Sequence, residues 1–357
     1  MRATYAEIDL DAVAGNVRAF ADLIAPAAVC TVIKADAYGH GDVPVAAAAL
    51  GAGASLLAVA LVEEGARLRE AGIDAPILVL SEPGPDAAAE VVGWELQPSV
   101  YSTAFVDALA ATGAEIPVHV KVDTGMHRVG AGPAELAGVM EAVQAAPHLE
   151  LASMWTHFAV ADEDPEFTRN QIERFDEAMS AYDPPVTHLA NTAGAALFPE
   201  ARRDFCRIGL GTYGLHPCEE TRDVLQLRPA MRVVSHVSHV QRLSAGERPS
   251  YGRARALPQD ATLATVPIGY ADGYWRSLTR GGEVLIGGRR FPLAGTVTMD
   301  QLVVDVGDED VQLGDEVVLL GAQGDESVGA DEWAGRLGTV SYEVVCSIGP
   351  RVPRRYS

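Results

Sequence analysis

Up to about residue 215 the chain repeats one pattern, a short run of β-type residues followed by an alanine-rich stretch whose apolar positions recur at helical spacing. The runs are AVCTVIKA, SLLAVAL, APILVLS, LQPSVYS, PVHVKVDT, LELASMWTHF, VTHLANT and FCRIGLG. Strands separated by helices pair in parallel, because a crossover of helical length returns the chain to the same end of the sheet. Eight such runs are what a closed β/α barrel requires. DAVAGNVRAFADLI reads as a helix behind an aspartate cap, and DPEFTRNQIERFDEAMSAY as one opening on Asp-Pro-Glu.

After LRPAMRVVSHVSHVQRL the texture changes to alternating Val, Leu and Ile runs broken by glycine turns such as LIGGRRFPLAG and LGDEVVLLG. That pattern predicts a mainly antiparallel β domain. The expected division is a β/α barrel over residues 1–228 and a β domain over residues 229–357, which suits a chain of 357 residues.

A formal charge of −22 with no Lys/Arg-rich run argues against nucleic acid, whose phosphates need clustered basic side chains. No apolar stretch is long enough to span a bilayer, and the N-terminal residues lack the pattern of a secretory signal, so no membrane is implied and a cytoplasmic protein is expected. Cys30, Cys206, Cys218 and Cys346 are far apart and form no C-x-x-C pair. They read as buried or free thiols, and neither a metal nor a disulfide is implied.

In a β/α barrel the functional residues sit at the C-terminal ends of the strands. The polar residues closing the runs are Lys34 with Tyr38, Lys121 and Asp123 with Arg128, His157, Asn191 with Thr192, and Arg207 before IGLG. Only two of the 27 Lys and Arg residues are lysines, Lys34 and Lys121. A lysine ending a buried strand is desolvated, which favours the uncharged amine and makes it a base or a nucleophile toward a carbonyl. Its bland alternative is a lysine that snorkels to the surface or closes a salt bridge. The glycine turn after Arg207 offers backbone N–H groups to a phosphate, although alone it is a weak signal, and Arg207 reads equally as an ion-pair partner. Taken singly, His157 reads as a core histidine and Tyr251 as a packing tyrosine.

With these residues assembled, the chain closely resembles the alanine racemases, pyridoxal-phosphate enzymes built as a β/α barrel plus a β domain and acting as homodimers. The resemblance spans essentially the whole chain and rests on VIKADAYGHG, KVDTGMHRVG, THFAVAD, LANTAG, RIGLGTYGL, YGRA, PIGYADG, GTVTMDQ and GTVSYEV in that order. It implies that Lys34 carries pyridoxal 5'-phosphate as a Schiff base, which arginine cannot form. Tyr38, Asn191, Thr192, the backbone at Gly209 and Leu210, and Tyr342 become cofactor-binding residues. Arg207 faces the pyridine nitrogen, and His157 bonds to Arg207. A guanidinium does not lend its proton, so the ring stays unprotonated and is a weaker electron sink.

Racemisation needs an acid/base group on each face of a planar carbanion. The resemblance assigns Lys34 to the face of D-alanine and the partner subunit's Tyr251 to the face of L-alanine. Arg128 and the partner subunit's Met299 backbone hold the substrate carboxylate, while Tyr342 and the partner subunit's Tyr270 narrow the entrance. Lys121 matches a position that carries an N6-carboxy group in many members, turning a cation beside Arg128 into an anion; the alternative is an unmodified lysine paired with Asp123. The expected role is supply of D-alanine for peptidoglycan. Two departures are Thr298, where the family often has Cys, and Asp36, where Asn is common. They bear on substrate preference and rate. Competing readings keep the fold and change what it does, giving a racemase of another small amino acid such as serine, a related barrel decarboxylase, a non-catalytic pyridoxal-phosphate binding protein, or a cofactor-free barrel isomerase. The decarboxylases lack the GYADG and TMDQ combination, and the binding proteins resemble the barrel alone.

Overall fold

The structure, a computed structural model, describes residues 3–357. Strand β1 (Tyr5–Ile8) opens the chain, and the eight expected runs follow as β2 (Ala28–Val32), β3 (Leu56–Val59), β4 (Ile77–Val79), β5 (Gln97–Val100), β6 (Ile116–Lys121), β7 (Leu149–Trp155), β8 (Thr187–His188) and β9 (Phe205–Ile208). These eight form one sheet in the order β8-β7-β6-β5-β4-β3-β2-β9, with every neighbour parallel. Between its two ends, Asp204 N–H reaches Thr187 C=O at 3.2 Å and Arg207 N–H reaches Ala190 C=O at 2.9 Å, which closes the barrel.

Helices cover the outside of this sheet, so β3 and β4 are buried along their whole length and read as unbroken apolar runs. Helix Leu10–Ile24 turns Ala12, Val13, Val17, Phe20 and Ile24 inward. Helix Pro165–Met179 starts where the sequence predicts: the Asp164 carboxylate accepts the Phe167 N–H at 2.9 Å and proline fills the first position. The barrel unit comprises Asp11–Ala37 and Asp42–Arg228.

Among the described residues, the second unit gathers residues 3–10, Tyr38–Gly41 and Pro229–Ser357. Its strands are β10 (Met231–His236), β11 (His239–Leu243), β12 (Ala261–Val266), β13 (Glu283–Ile286), β14 (Arg289–Pro292), β15 (Leu302–Gly307), β16 (Glu316–Gln323), β17 (Glu326–Val328) and β18 (Arg354–Tyr356). One sheet runs β14-β13-β16-β10-β1-β18 with β17 on β16, and another runs β11-β12-β15. All pairings are antiparallel except β1 with β18. The sheet thus takes β1 from ahead of the barrel, and Arg232 ties it together by bonding Glu7 at 2.7 Å and also Glu316. Among the described residues, no helix is long and apolar enough to cross a membrane.

Candidate active site

Lys34 follows the last residues of β2 and begins a helical segment, Lys34–Gly39, of unusual hand. Ala35, Asp36, Ala37 and Tyr38 have φ between 53° and 54°, and Gly39 has φ 79°. L-residues visit this left-handed region singly, at about 1–2 kcal/mol each, so four in succession mark a conformation the surroundings impose. The turn is pinned by Ala37 N–H to Ile33 C=O at 2.9 Å, and the Asp36 carboxylate accepts the Asp42 N–H at 3.0 Å. An aspartate serves this purpose as well as asparagine does.

At the end of β6, Lys121 is buried, and its Nζ lies 4.4 Å from the centroid of the Trp155 ring. Burial, reinforced by Arg207, Arg128 and Lys34 and opposed by Asp123, holds its ammonium down to about 7. The loop carrying Arg128 returns to its own strand through Asp123 N–H to Ala131 C=O (2.9 Å) and Ala131 N–H to Lys121 C=O (2.8 Å). Burial pushes the Asp123 carboxyl up, but N–H groups of Gly125 and His127 at 2.9 and 3.1 Å outweigh it and hold it below the ordinary value.

Arg207, 2% exposed on β9, is the centre of the barrel site. Its Nη1 donates to His188 Nδ1 (2.6 Å) and His188 C=O (3.1 Å); its Nη2 donates to Thr156 C=O (2.7 Å), Leu189 C=O (2.8 Å) and His157 Nδ1 (3.1 Å). The Nε–H takes no part in that network. Burial lowers Arg207 to about 10, still charged near neutrality, while burial followed by the nearby guanidinium keeps both His157 and His188 well below the ordinary histidine value. Since a guanidinium only donates, His188 Nδ1 accepts, so its Nε2 carries the hydrogen toward Ser153 Oγ at 3.0 Å. Ser153 then donates to His119 Nδ1 (2.6 Å), and His119 Nε2 donates to Gln97 Oε1 (3.0 Å). Trp155 lies under this network, stacked on His188 at 5.3 Å with the Arg207 Cζ 4.6 Å from its ring centroid.

Beside Arg207, β8 and β9 end in a small donor cradle. Asn191 caps the helix Thr192–Leu197 by accepting the Gly194 N–H at 2.9 Å. Thr192 Oγ1 accepts from Gly209 N–H (3.2 Å) and Gly211 N–H (3.4 Å), so a hydroxyl and the amides of the glycine turn converge. Leu210 begins the short helix that follows. A Cβ on Gly211 would lie 2.3 Å from the Phe20 ring, so any larger residue here requires that ring to move.

The second unit brings its own residues together. Tyr270 N–H bonds Thr298 C=O (3.0 Å) and Ala271 N–H bonds Met299 C=O (3.1 Å), so PIGYADG and GTVTMDQ lie side by side. Gly269 permits this approach, since a Cβ there would meet the Thr298 carbonyl at 2.2 Å. Thr296 Oγ1 donates to Tyr251 C=O at 2.8 Å and anchors the YGRA turn to the same strip. Tyr251, Met299 and Tyr270 are 75%, 53% and 42% exposed. Thr298 uses its hydroxyl locally, donating to Gln301 C=O and accepting the Gln301 N–H. Tyr38 is buried with its ring 5.9 Å from that of Tyr342, and burial first, then Tyr342, pushes its phenol up.

Of the residues expected from the sequence, Lys34, Lys121, Arg128, His157, Asn191, Thr192, Arg207, Gly209 and Leu210 lie at or just beyond the ends of the barrel strands; Tyr38 and Tyr342, and Tyr251, Tyr270 and Met299, fall into two groups in the second unit. His188, Ser153 and Trp155 join the site without being among those expected. The signal for the last two was period-2 alternation along β7, which puts 153 and 155 on one face. His188 lies in the quoted run VTHLANT, three residues before Asn191.

Residues 8–217 match the family model described as "Alanine racemase, N-terminal domain", and residues 230–356 match "Alanine racemase, C-terminal domain". An alanine racemase of Symbiobacterium thermophilum is 44% identical over 367 residues, covering 100% of this chain and 97% of its own length. One from Frankia casuarinae is 42% identical, covering 98% and 95%. The crystal structure of an alanine racemase from Bacillus anthracis with bound L-Ala-P has a TM-score of 0.95 to this chain at 38% identity, covering 100% and 95%. A barrel of eight parallel strands, a separate, mainly antiparallel unit and likeness at this level over the full length lead to one conclusion: the chain belongs to the alanine racemase family of isomerases.

Proposed function

We propose that this chain interconverts L-alanine and D-alanine as a homodimer with pyridoxal 5'-phosphate, and that it supplies D-alanine for peptidoglycan in the cytoplasm. The observation that carries the reading is the barrel rim, where a strand-end lysine, a fully buried arginine with one uncommitted N–H, and a hydroxyl-plus-glycine cradle occur together. That donor set fits the cofactor: Lys34 offers the amine for its aldehyde, Thr192 with the Gly209–Leu210 backbone and Tyr38 with Tyr342 offer donors for its phosphate, and Arg207 offers Nε–H to a ring nitrogen. Arg207, Arg128 and Lys34 each disfavour the charge on Lys121 while Asp123 favours it, a preponderance of cations that suits anionic ligands.

When bound, the cofactor withdraws electrons from the α-carbon of the amino acid and makes its proton removable. Lys34 Nζ takes or returns that proton on one face, and Oη of the partner subunit's Tyr251 does so on the other. Two groups are needed because a single base returns the proton to the side it left. Arg207 donates without giving up its proton, which moderates electron withdrawal and favours return of the proton over longer-lived side reactions. Its hold on His157 Nδ1 fixes that ring as well. Arg128, with the partner subunit's Met299 backbone, orients the substrate carboxylate, and the partner subunit's Tyr270 narrows the mouth. Lys121 is proposed to carry an N6-carboxy group: an amine held to about 7 is largely uncharged at mildly alkaline pH, the form that adds carbon dioxide. The 4.4 Å contact with Trp155 suits the unmodified ammonium instead, and intact-protein mass distinguishes them by one carbon dioxide.

The deciding experiment follows the optical rotation of L-alanine with purified protein and added pyridoxal phosphate, with L-serine as comparator. Decay to zero with alanine much faster than serine is expected. A flat alanine trace from protein that has acquired the cofactor's visible absorbance overturns the assignment. Lys34→Ala is expected to lose that covalent absorbance, and Tyr251→Ala to keep it.

A further inference from the structure

The geometry points to Glu64 as a positioning residue for Lys34, its carboxylate holding the N–H of the peptide bond that Lys34 makes with Ala35. Glu64 Oε1 accepts the Ala35 N–H at 2.7 Å, while Oε2 accepts the N–H groups of Ala60 at 2.8 Å and Leu61 at 3.1 Å. The second oxygen has an ordinary role: Leu61 is the N-cap of helix Val62–Glu70 and Glu64 its third residue, the position from which a carboxylate caps. A cap needs only that oxygen. The first reaches a residue 29 positions earlier in the chain, at the end of a neighbouring strand.

The residue it reaches is the one where an outside anchor matters most. Ile33 N–H and Ala37 N–H, on either side, bond the backbone carbonyls of Ala58 and Ile33. Ala35 N–H instead takes a side chain, at the first residue of the left-handed run Ala35–Tyr38. Released there, the run is free to relax toward ordinary backbone angles, turning the Lys34–Ala35 peptide plane and the base of the Lys34 side chain with it. A reactive amine displaced by about 1 Å loses rate on the order of a hundredfold, so a single charge-assisted hydrogen bond to this plane affects catalysis without touching any reacting atom.

The proposal rests on Lys34 as the cofactor-bearing lysine, so wild-type protein loaded with pyridoxal phosphate is first reduced with borohydride and the labelled peptide mapped. A label elsewhere than Lys34 overturns that reading and the proposal with it. Glu64→Gln then separates the two roles of Glu64, because glutamine caps a helix from this position yet has one acceptor oxygen and turns an NH2 group toward a second N–H. Expected are a urea midpoint close to wild type, exchange of the Ala35 amide in the apoprotein faster by on the order of tenfold, and slower growth of the visible band on mixing apoprotein with pyridoxal phosphate. In the loaded enzyme kcat falls with little change in KM for alanine. Glu64→Ala is expected to add a loss of stability to the same kinetic defect. Wild-type Ala35 exchange and wild-type band growth in Glu64→Gln, or defects that appear only in Glu64→Ala together with destabilisation, would leave Glu64 a helix cap and overturn the assignment.

Discussion

Arg207 makes its five hydrogen bonds to three carbonyls and two imidazole nitrogens, all held by the ends of β7 and β8. Arg207→Ala takes the donor from the Thr156 and Leu189 carbonyls and both imidazoles, while His188 C=O keeps the Thr156 N–H at 3.4 Å; a loss of about 3 kcal/mol in urea unfolding is expected, besides, on the proposed function, a loss of affinity for pyridoxal phosphate. The histidines around it set a pH dependence. His119 is lowered to about 4 by burial, and His157 and His188 are lowered in the same sense, first by burial and then by Arg207. Folded, these groups stay neutral; unfolded, they bind protons below about pH 6.5, so the unfolded state gains as pH falls. Between pH 7 and 4, His119 alone is expected to remove about 3 kcal/mol of stability, and His119→Gln to flatten the urea-midpoint profile by that share. Arg207 and His157 were legible as polar residues at strand ends. His188 and His119 were not, because each becomes informative only once the barrel closes and its ring nitrogens acquire partners.

At the scale of elements, the backbone rather than the side chains carries the constraint in two places. The left-handed run Ala35–Tyr38 tolerates alanine and disfavours a β-branched residue. Ala35→Val is therefore expected to cost about 1–2 kcal/mol although Ala35 is exposed, where an ordinary surface exchange stays within about 0.5. Thermal unfolding of the variant beside Ala35→Gly checks this. At the β9 turn, Gly211→Ala pushes a Cβ against Phe20 and is expected to cost about 1–3 kcal/mol and, if the proposed cofactor site is right, to weaken pyridoxal-phosphate binding, with Phe20→Leu restoring part of both. The eight barrel strands were legible as short β-type runs alternating with helical stretches, plainest in the unbroken apolar β3 and β4 and weakest in β5 and β8, whose residues QPSV and TH are mostly polar. Strand β1 was not: four residues, Tyr5–Ile8, carry no pattern of their own, and they are a strand only because β10 and β18 lie on either side.

For the molecule as a whole, the sharing of sites between subunits is the prediction with most at stake. If Tyr251 serves the partner's Lys34, mixing the inactive Lys34→Ala and Tyr251→Ala variants under subunit exchange restores activity toward about a quarter of wild type, since half the dimers are mixed and each has one intact site. No recovery on mixing, with exchange demonstrated by mass, sinks the shared site. The sequence by itself determined the strand-helix alternation, the change to β texture after the barrel, and the residues at the strand ends, because these follow from local periodicity and from the order of motifs along the chain. Only the tertiary structure decided that Arg207 is held through His188, Ser153 and His119, that Lys121 lies against Trp155, and that Glu64 reaches the peptide bond of Lys34. The hydrogen bonds among these join residues 19 to 35 positions apart in the chain, and they form only when the barrel brings the strand ends within a few ångströms of one another and takes them out of water.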